Sequence, residues 1–270
     1  MVDVHKGFGQ VFEESYRNHQ VFELIDHMME YYEDLSDSSF WFMPKGTLTI
    51  SNYSSRIYMS IHNTLGSIKM LLKEGHISDA FVLIRKLFDT VLVEIYLNVL
   101  REDRFDWEKS LVVKDVDEWL KAGHRIPSTK KILKILKNSY STKDLYQWFG
   151  WDTYLKKNRE LLDDHVHSNS YRNIILNCPE LYIENREKQL GNAAVVLEQI
   201  MLIHTSFTFY MNGHYMMATD YMHYIDENLE PPEGSQYWLA AYAQRAFDEF
   251  IKPHEKLAAF IKEHCVMDIE

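Results

Sequence analysis

The stretch Ile77–Glu102, ISDAFVLIRKLFDTVLVEIYLNVLRE, decides the fold class. Its apolar residues recur every three or four positions without a glycine or proline, which is typical of a long amphipathic helix. At about 100° per residue, Arg85 falls in the middle of the apolar face, between Phe81 and Tyr96. The opposite side carries polar residues, for which we predict a solvent-facing stripe: Lys86, Thr90, Glu94, Asn98 and Arg101.

Arg85 needs an ionic partner on this face, because an unpaired buried guanidinium costs many kcal/mol. Asp89 lies one turn further along, so one interpretation is an intrahelical ion pair, or a pair with another helix, that fixes the register of the bundle. The other interpretation is that Arg85 faces a polar pocket and orients a catalytic group or a phosphate there.

Similar helical patterns recur along the rest of the 270 residues, and glycine (10) and proline (6) are scarce. We find no strand alternation and no internal repeat, so we predict an all-α fold with a single domain over 1–270. Its architecture is a bundle of long antiparallel helices with an insertion of short helices at about 106–150. The predicted core helices lie at about 11–35, 52–74, 78–101, 151–166, 187–229 and 236–264, the last with a kink at Pro253.

Charge and cysteine content limit the partners and the compartment. The formal charge of −11 should repel nucleic acid and anionic lipid unless a local basic region overrides it. Cys178 and Cys265 stand far apart, which fits a reducing cytoplasm. The first residues lack a signal-peptide pattern, and no apolar run approaches the roughly 18–20 residues that span a bilayer. We expect a cytoplasmic protein without a membrane segment.

A second polar stretch, RELLDDHVHSNSYRN at Arg159–Asn173, places an arginine, two aspartates and two histidines within nine residues. On a helix, Arg159, Asp163 and His167 form one line at intervals of four residues. His165 lies two residues before His167, which turns it about 200° away on a helix. This spacing argues against a metal site built from the stretch alone, and we predict neither a metal nor a cofactor.

Two patterns resemble known helical proteins over about residues 53–171. Arg159 and His165 have the spacing R-x(5)-H, which is similar to the R-x(4–6)-H signature of HEPN domains. The string EGHISDAFVLIRKLFDTVLVEIYL, followed later by LLDDHVHSNS, resembles a broader group of uncharacterised prokaryotic helical proteins. In that group's pattern the matching positions are Arg85, Asp89 and His167.

The HEPN resemblance implies a helical bundle and a function. Many HEPN proteins are metal-independent ribonucleases, toxins or antiviral effectors, and their sites commonly form across a dimer. The resemblance therefore implies an endoribonuclease of stress response or phage defence, a homodimer and a neutralising partner. Histidine would take the 2′-hydroxyl proton and arginine would hold the phosphorane. The implied catalytic residues are Arg159, His165, His167, Arg85 and Asp163.

The segment Lys130–Arg159 supplies the local basic region. It contains eight basic residues against Asp144 and Asp152, a charge of +6 inside a protein of −11. Such a patch is what binding of an RNA phosphate backbone needs. We predict these RNA contacts: Lys130, Lys134, Lys137, Lys156 and Lys157. The alternative is an amphipathic helix with a solvated lysine side.

Two rival functions stay open. The first is a non-catalytic helical binding or regulatory protein, whose polar cluster only holds the bundle together. The second is a metal-dependent hydrolase.

Overall fold

The computed structural model describes residues 7–106, 108, 111–151 and 153–270, and it confirms the all-α fold class. Within these residues no β-strand forms, and only isolated β-bridges are present. A 3₁₀ turn at Gly213–Met216, another at Ser235–Tyr237 and a π-helical turn at Phe247–Ile251 accompany the α-helices. The α-helices, in chain order, are α1 (Gly7–Gln10), α2 (Glu14–Arg17), α3 (Val21–Phe40), α4 (Tyr53–Lys73), α5 (Ile77–Arg104), α6 (Lys114–Leu120), α7 (Thr129–Asn138), α8 (Lys143–Tyr146), α9 (Tyr154–Val166), α10 (Tyr171–Ile175), α11 (Arg186–Asn212), α12 (Asp220–Asp226), α13 (Ala241–Ala246) and α14 (Glu255–His264).

The chain divides into two compact units. Unit 1 holds the described residues of Met1–Glu30, Ser60–Val91 and Gly150–Met201. Unit 2 holds the described residues of Tyr31–Met59, Leu92–Phe149 and Leu202–Glu270. Each unit has its own apolar core, with Val21, Ile61 and Leu190 in unit 1 and Leu97, Phe209 and Phe247 in unit 2. The single domain over 1–270 stays a prediction.

The ends of α4 follow from local chemistry. At its start, the Ser54 N–H donates to Asn52 Oδ1 at 3.0 Å, so Asn52 caps the helix. At its end, Gly75 adopts φ +82°, a conformation that glycine takes without strain. A Cβ on Gly75 would also lie 2.7 Å from Val11 Cγ1, so glycine is needed there for space as well.

The predicted solvent stripe of α5 is wrong over the second half of the helix. Lys86 is exposed and Thr90 is partly exposed, but Glu94, Asn98 and Arg101 are each 2% exposed. The physical reason is that residues 94–101 of α5 are all buried, so the helix has no solvent face over these two turns. Its polar side chains bind one another and their neighbours instead.

The predicted helix over 187–229 is also wrong as one continuous element. α11 ends at Asn212 because the chain turns at Gly213, where a Cβ would lie 2.9 Å from Cys265 Sγ. The following backbone then pairs outside any helix: Ala218 N–H donates to Trp238 O, and Ala240 N–H donates to Met216 O, each at 2.8 Å.

Other predicted helices also differ from the structure. The predicted helix over 11–35 is wrong as one element, because the chain leaves helical geometry at Asn18, the C-cap of α2, and α3 begins only at Val21. The predicted helix over 236–264 is two helices, and the break falls at Pro253, as the kink predicts. α9 begins at Tyr154 instead of 151. α3 continues to Phe40 instead of ending near 35, because its serine hydroxyls are bonded inside the protein. Ser36 Oγ donates to Ser55 O at 3.0 Å, and Ser39 Oγ donates to Ser36 O at 3.2 Å.

The helical stretch Arg186–Met216 is long and apolar enough to cross a membrane, with a mean hydropathy of 1.2, so the prediction that no run qualifies is wrong. However, 67% of the most apolar 18 residues of this stretch is buried within the protein, as in the core helix of a soluble protein. The cytoplasmic location stays a prediction.

Candidate functional sites: two polar clusters and a lysine face

In unit 1, Arg85, Asp89, Asp163 and Arg159 form a group that we name the Arg85 cluster. Arg85 Nε on α5 donates to Asp163 Oδ1 on α9 at 2.7 Å, and the same guanidinium pairs with Asp89. Arg159 Nε lies 3.6 Å from Asp163 Oδ2, which is an ion pair without a hydrogen bond. Arg85 thus has both an intrahelical and an interhelical partner.

The charges of the Arg85 cluster balance. Burial opposes the charge on Arg85, but the hydrogen bonds that Arg85 donates to Asp89 and Asp163 outweigh this effect and raise the pKa of Arg85. The Arg85 side chain is 11% exposed, whereas the carboxylates of Asp89 and Asp163 are 43% and 36% exposed. Two arginines face two carboxylates at the edge of solvent, an arrangement that ties α5 to α9.

The two histidines of α9 have different surroundings. His165 is buried, its Nδ1 is 2.9 Å from Ser78 Oγ, and its ring stacks on Phe81 at 4.4 Å. Burial lowers the pKa of His165, although Asp164 opposes the shift, so His165 is neutral near pH 7. His167 lies just past the end of α9 and is exposed. The histidine at the HEPN spacing is therefore buried, and the other histidine reaches solvent.

A small pocket in unit 1 includes Arg159. Its volume of about 10 Å³ is room for one water molecule, which is too little for a nucleotide base. The residues that line it are Phe88, Leu155, Asn158, Arg159, Leu162, Val196, Gln199 and Ile200. Of the five predicted catalytic residues, this lining contains only Arg159.

In unit 2, α5 carries a second group that the sequence analysis missed. We name it the Glu94 cluster, and it consists of Tyr32, Tyr58, Glu94, Asn98, Arg101, His204, Asn212 and Tyr215, all nearly inaccessible to solvent. The Glu94 carboxylate accepts from Tyr58 OH at 2.9 Å and from Asn98 Nδ2 at 2.6 Å. His204 Nε2 lies 3.2 Å from Glu94 Oε2, and Tyr32 OH lies 2.7 Å from His204 Nδ1.

Hydrogen-bond chemistry fixes the direction of this chain of contacts. A carboxylate only accepts, so His204 Nε2 donates to Glu94, and in the neutral ring Nδ1 accepts from Tyr32. Burial opposes ionisation of Glu94, but its bonds from His204, Tyr58 and Asn98 outweigh this and lower its pKa. Burial and the nearby Glu94 raise the pKa of Tyr32 well above its ordinary value. The structure therefore holds an ionised Glu94 beside a protonated Tyr32.

Asn98 links Glu94 to Arg101. Arg101 NH2 donates to Asn98 Oδ1 at 2.6 Å and to Asn212 Oδ1 at 3.1 Å. Arg101 NH1 donates to Tyr215 OH at 3.3 Å. Two features of the sequence could have indicated this cluster. Glu94, Asn98 and Arg101 recur at helical spacing on α5, and His204 lies within the apolar run of α11.

A third feature is the exposed side of α7 in unit 2, which we name the lysine face: Lys130, Lys131, Lys134 and Lys137. Ile132 and Leu136 bury the opposite side. Within the part of the chain that the structure describes, no carboxylate forms a salt bridge with these lysines. Tyr140 follows the helix with its side chain 65% exposed.

The other two predicted RNA contacts belong to unit 1. Lys156 and Lys157 are both exposed on α9, and Lys156 Nζ lies 3.8 Å from Glu160 Oε1. Among the described residues, no three histidine, cysteine, aspartate or glutamate side chains are grouped to hold a metal ion.

Part of the chain matches a known protein family. Residues 51–174 match a family described as "Family of unknown function (DUF5677)". The matched span is less than half of the chain. It contains the Arg85 cluster, both histidines of α9 and the lysine face, but it leaves out His204. No curated protein and no solved structure matches the chain.

Proposed function

We propose that this chain is a HEPN-like helical protein that binds RNA through the lysine face of α7. The observation that carries the proposal is the lysine face itself: four exposed lysines on a helix without an acidic residue. Lysines that neutralise phosphates release condensed counterions, which drives binding to nucleic acid.

The charge distribution favours binding at this face over the rest of the surface. The whole chain carries −11, so most of the surface repels a polyanion. Salt bridges occupy many cations elsewhere, such as Lys121 with Asp117, Lys156 with Glu160 and Lys252 with Asp248. No described carboxylate forms such a pair with the lysine face, and the exposed ring of Tyr140 offers a surface on which a base can stack.

The test is fluorescence anisotropy with labelled single-stranded RNA at constant salt. We expect the triple variant Lys130→Gln, Lys134→Gln, Lys137→Gln to bind at least about tenfold more weakly, since each lost phosphate contact weakens binding. The control replaces Lys86, Lys188 and Lys256 with glutamine, which changes the net charge equally, and should bind like the wild type. Equal affinities of the two variants, or no binding by the wild type, would reject the proposal.

A second candidate function is metal-independent cleavage of the bound RNA, with Arg159 and His167 as catalytic residues. The observation that favours it is the exposure of His167 at the end of the helix that carries Arg159. His167 would take the 2′-hydroxyl proton while the 2′-oxygen attacks phosphorus, and the 5′-oxygen would leave with a proton from water. Arg159 would hold the phosphorane oxygens. His165 has no part in this candidate, because it is buried against Ser78 and Phe81.

Cleavage of labelled RNA in EDTA separates this candidate from simple binding. We expect Arg159→Ala and His167→Ala to lose cleavage and to keep their RNA affinity within a few fold. His165→Gln should still cleave. If the wild type binds RNA without cleaving it, the binding proposal stands and the cleavage candidate fails. The homodimer, the neutralising partner and a role in phage defence stay predictions.

A further inference from the structure

The Arg101 end of the Glu94 cluster, together with Tyr53 beside it, has hydrogen-bond donors without acceptors. Among the described protein atoms, three buried side-chain atoms there have no partner: Arg101 Nε, Asn212 Nδ2 and Tyr53 OH. Their residues are between 2% and 5% exposed, so bulk water does not satisfy them. Buried polar groups without a partner are rare and costly, and each one calls for an explanation.

The three atoms belong to side chains around a single guanidinium. The central carbon of the Arg101 guanidinium lies 5.8 Å from the centre of the Tyr53 ring. Arg101 NH2 lies 3.1 Å from Asn212 Oδ1, so the amide nitrogen of Asn212 is in the same neighbourhood. Two of the three atoms can only donate a hydrogen bond, and the third, a hydroxyl, can also donate one.

Among the residues that the structure describes, no carboxylate is in direct contact with the guanidinium of Arg101. Its hydrogen-bond partners are the oxygens of Asn98, Asn212 and Tyr215, which are all neutral. Glu94 is the carboxylate of the cluster, and its oxygens are already bonded by Tyr58, Asn98 and His204. Glu94 attracts Arg101 only through space, whereas a buried guanidinium is best stabilised by a counter-charge in direct contact.

We propose that a small monovalent anion, with chloride as its representative, binds between Arg101 Nε, Asn212 Nδ2 and Tyr53 OH. An anion accepts from all three donors and places a negative charge in direct contact with the Arg101 guanidinium. A water molecule carries no negative charge and must place its own two protons on acceptors, so it suits a group of unpartnered donors less well than an anion does. The near-complete burial of the three residues limits the ligand to a monatomic or similarly small ion. This site is independent of the proposed RNA binding.

The direct test uses bromide in place of chloride. Crystals of the full chain soaked in sodium bromide should give an anomalous peak within hydrogen-bond distance of Arg101 Nε. Density without an anomalous signal at that position would identify water and overturn the proposal. The absence of any density between the three atoms would overturn it as well.

Thermal unfolding in solution gives a second test, with sodium chloride replacing sodium gluconate at constant ionic strength. A ligand that binds only the folded chain raises Tm by mass action, so Tm of the wild type should rise by a few degrees for each tenfold increase in chloride above Kd. Asn212→Asp places a carboxylate beside Arg101, and its Tm should no longer depend on chloride. An equal dependence in the wild type and in Asn212→Asp would overturn the proposal, because chloride would then act elsewhere.

Tyr53→Phe keeps the ring against Arg101 and removes only the hydroxyl. We expect it to fold and to need several-fold more chloride for the same rise in Tm. An unchanged chloride dependence in Tyr53→Phe would remove Tyr53 from the site and contradict the three-donor arrangement.

Discussion

Two polar clusters on the same helix, α5, have opposite environments. The Arg85 cluster contains full charges at the edge of solvent, and the carboxylates of Asp89 and Asp163 remain more than a third exposed. The Glu94 cluster is enclosed, with the side chains of Glu94 and His204 at 2% and 0% exposure. Water therefore screens the ionic interactions of the Arg85 cluster, whereas those of the Glu94 cluster lie in an interior of low dielectric constant.

Their different exposure implies that the two clusters stabilise the fold to different extents. Water and salt weaken ion pairs near the surface, and their net contribution is small. In the interior, attraction between charged and polar groups is strong. When a mutation removes one partner, the other remains buried and nothing offsets the free-energy cost of its desolvation. The Glu94 cluster should therefore respond to mutation as a connected unit, and the Arg85 cluster as separate pairs.

The largest effect should follow the loss of Glu94. We expect Glu94→Ala to lower the free energy of unfolding by about 3–5 kcal/mol, because the buried donors of Tyr58, Asn98 and His204 then lose their acceptor. Urea unfolding followed by circular dichroism measures it. Glu102→Ala, also on α5 but partly exposed and paired with Lys45, is the control and should lose no more than about 1 kcal/mol. A loss below about 1 kcal/mol for Glu94→Ala would contradict the comparison.

A smaller effect should follow a change in the Arg85 cluster. Asp163→Asn weakens the pair with Arg85, but this carboxylate is 36% exposed, so we expect a loss of about 1 kcal/mol after screening. The loss should shrink in 1 M salt, whereas the effect of Glu94→Ala should not. Glu160→Gln, on the same helix, is the exposed control. If Asp163→Asn lowered the free energy of unfolding as much as Glu94→Ala does, the distinction between the two clusters would be wrong.

The pH dependence of stability should separate the two units. The pKa of His165 is lowered on folding, so the unfolded chain binds a proton first as the pH falls. The stability due to neutral His165 is complete above about pH 6.5 and is lost below it. The pKa of Glu94 is lowered too, so its contribution is present above the usual glutamate range and is lost only as the pH falls through the lower folded value.

Urea unfolding of the wild type and of His165→Gln between pH 8 and pH 5 measures this contribution. Glutamine can keep a hydrogen bond to Ser78 but does not titrate. The variant should lose less stability than the wild type between pH 7 and pH 5. Identical profiles would show that His165 does not contribute to the pH dependence.

The smallest effect on stability should come from the lysine face. Replacing Lys130, Lys134 and Lys137 with glutamine should change the free energy of unfolding by less than about 0.5 kcal/mol, because these side chains are exposed and form no salt bridge with any described residue. Denaturation of the triple glutamine variant measures it. A loss of several kcal/mol would mean that the lysine face supports the fold. Weaker RNA binding by the variant could then result from unfolding and would not test the lysine contacts.

The sequence predicts the fold class, most helices and an ionic partner for Arg85, because these depend on periodicity and local chemistry. The Glu94 cluster could not be predicted, because a helical wheel cannot tell a solvent face from a polar face covered by other helices. Glu94, Asn98 and Arg101 read as a solvent stripe for that reason. The roles of His165 and His167 also depend on burial, which the spacing of a motif does not contain.

The proposal that the lysine face binds RNA predicts a specific dependence of RNA affinity on salt. For a single strand, each neutralised phosphate contributes about 0.7 to the slope of log K against log salt. The triple variant Lys130→Gln, Lys134→Gln, Lys137→Gln should therefore have a slope less negative by about 2 than the wild type. The control at Lys86, Lys188 and Lys256 should keep the wild-type slope. The same slope in all three proteins would contradict the account.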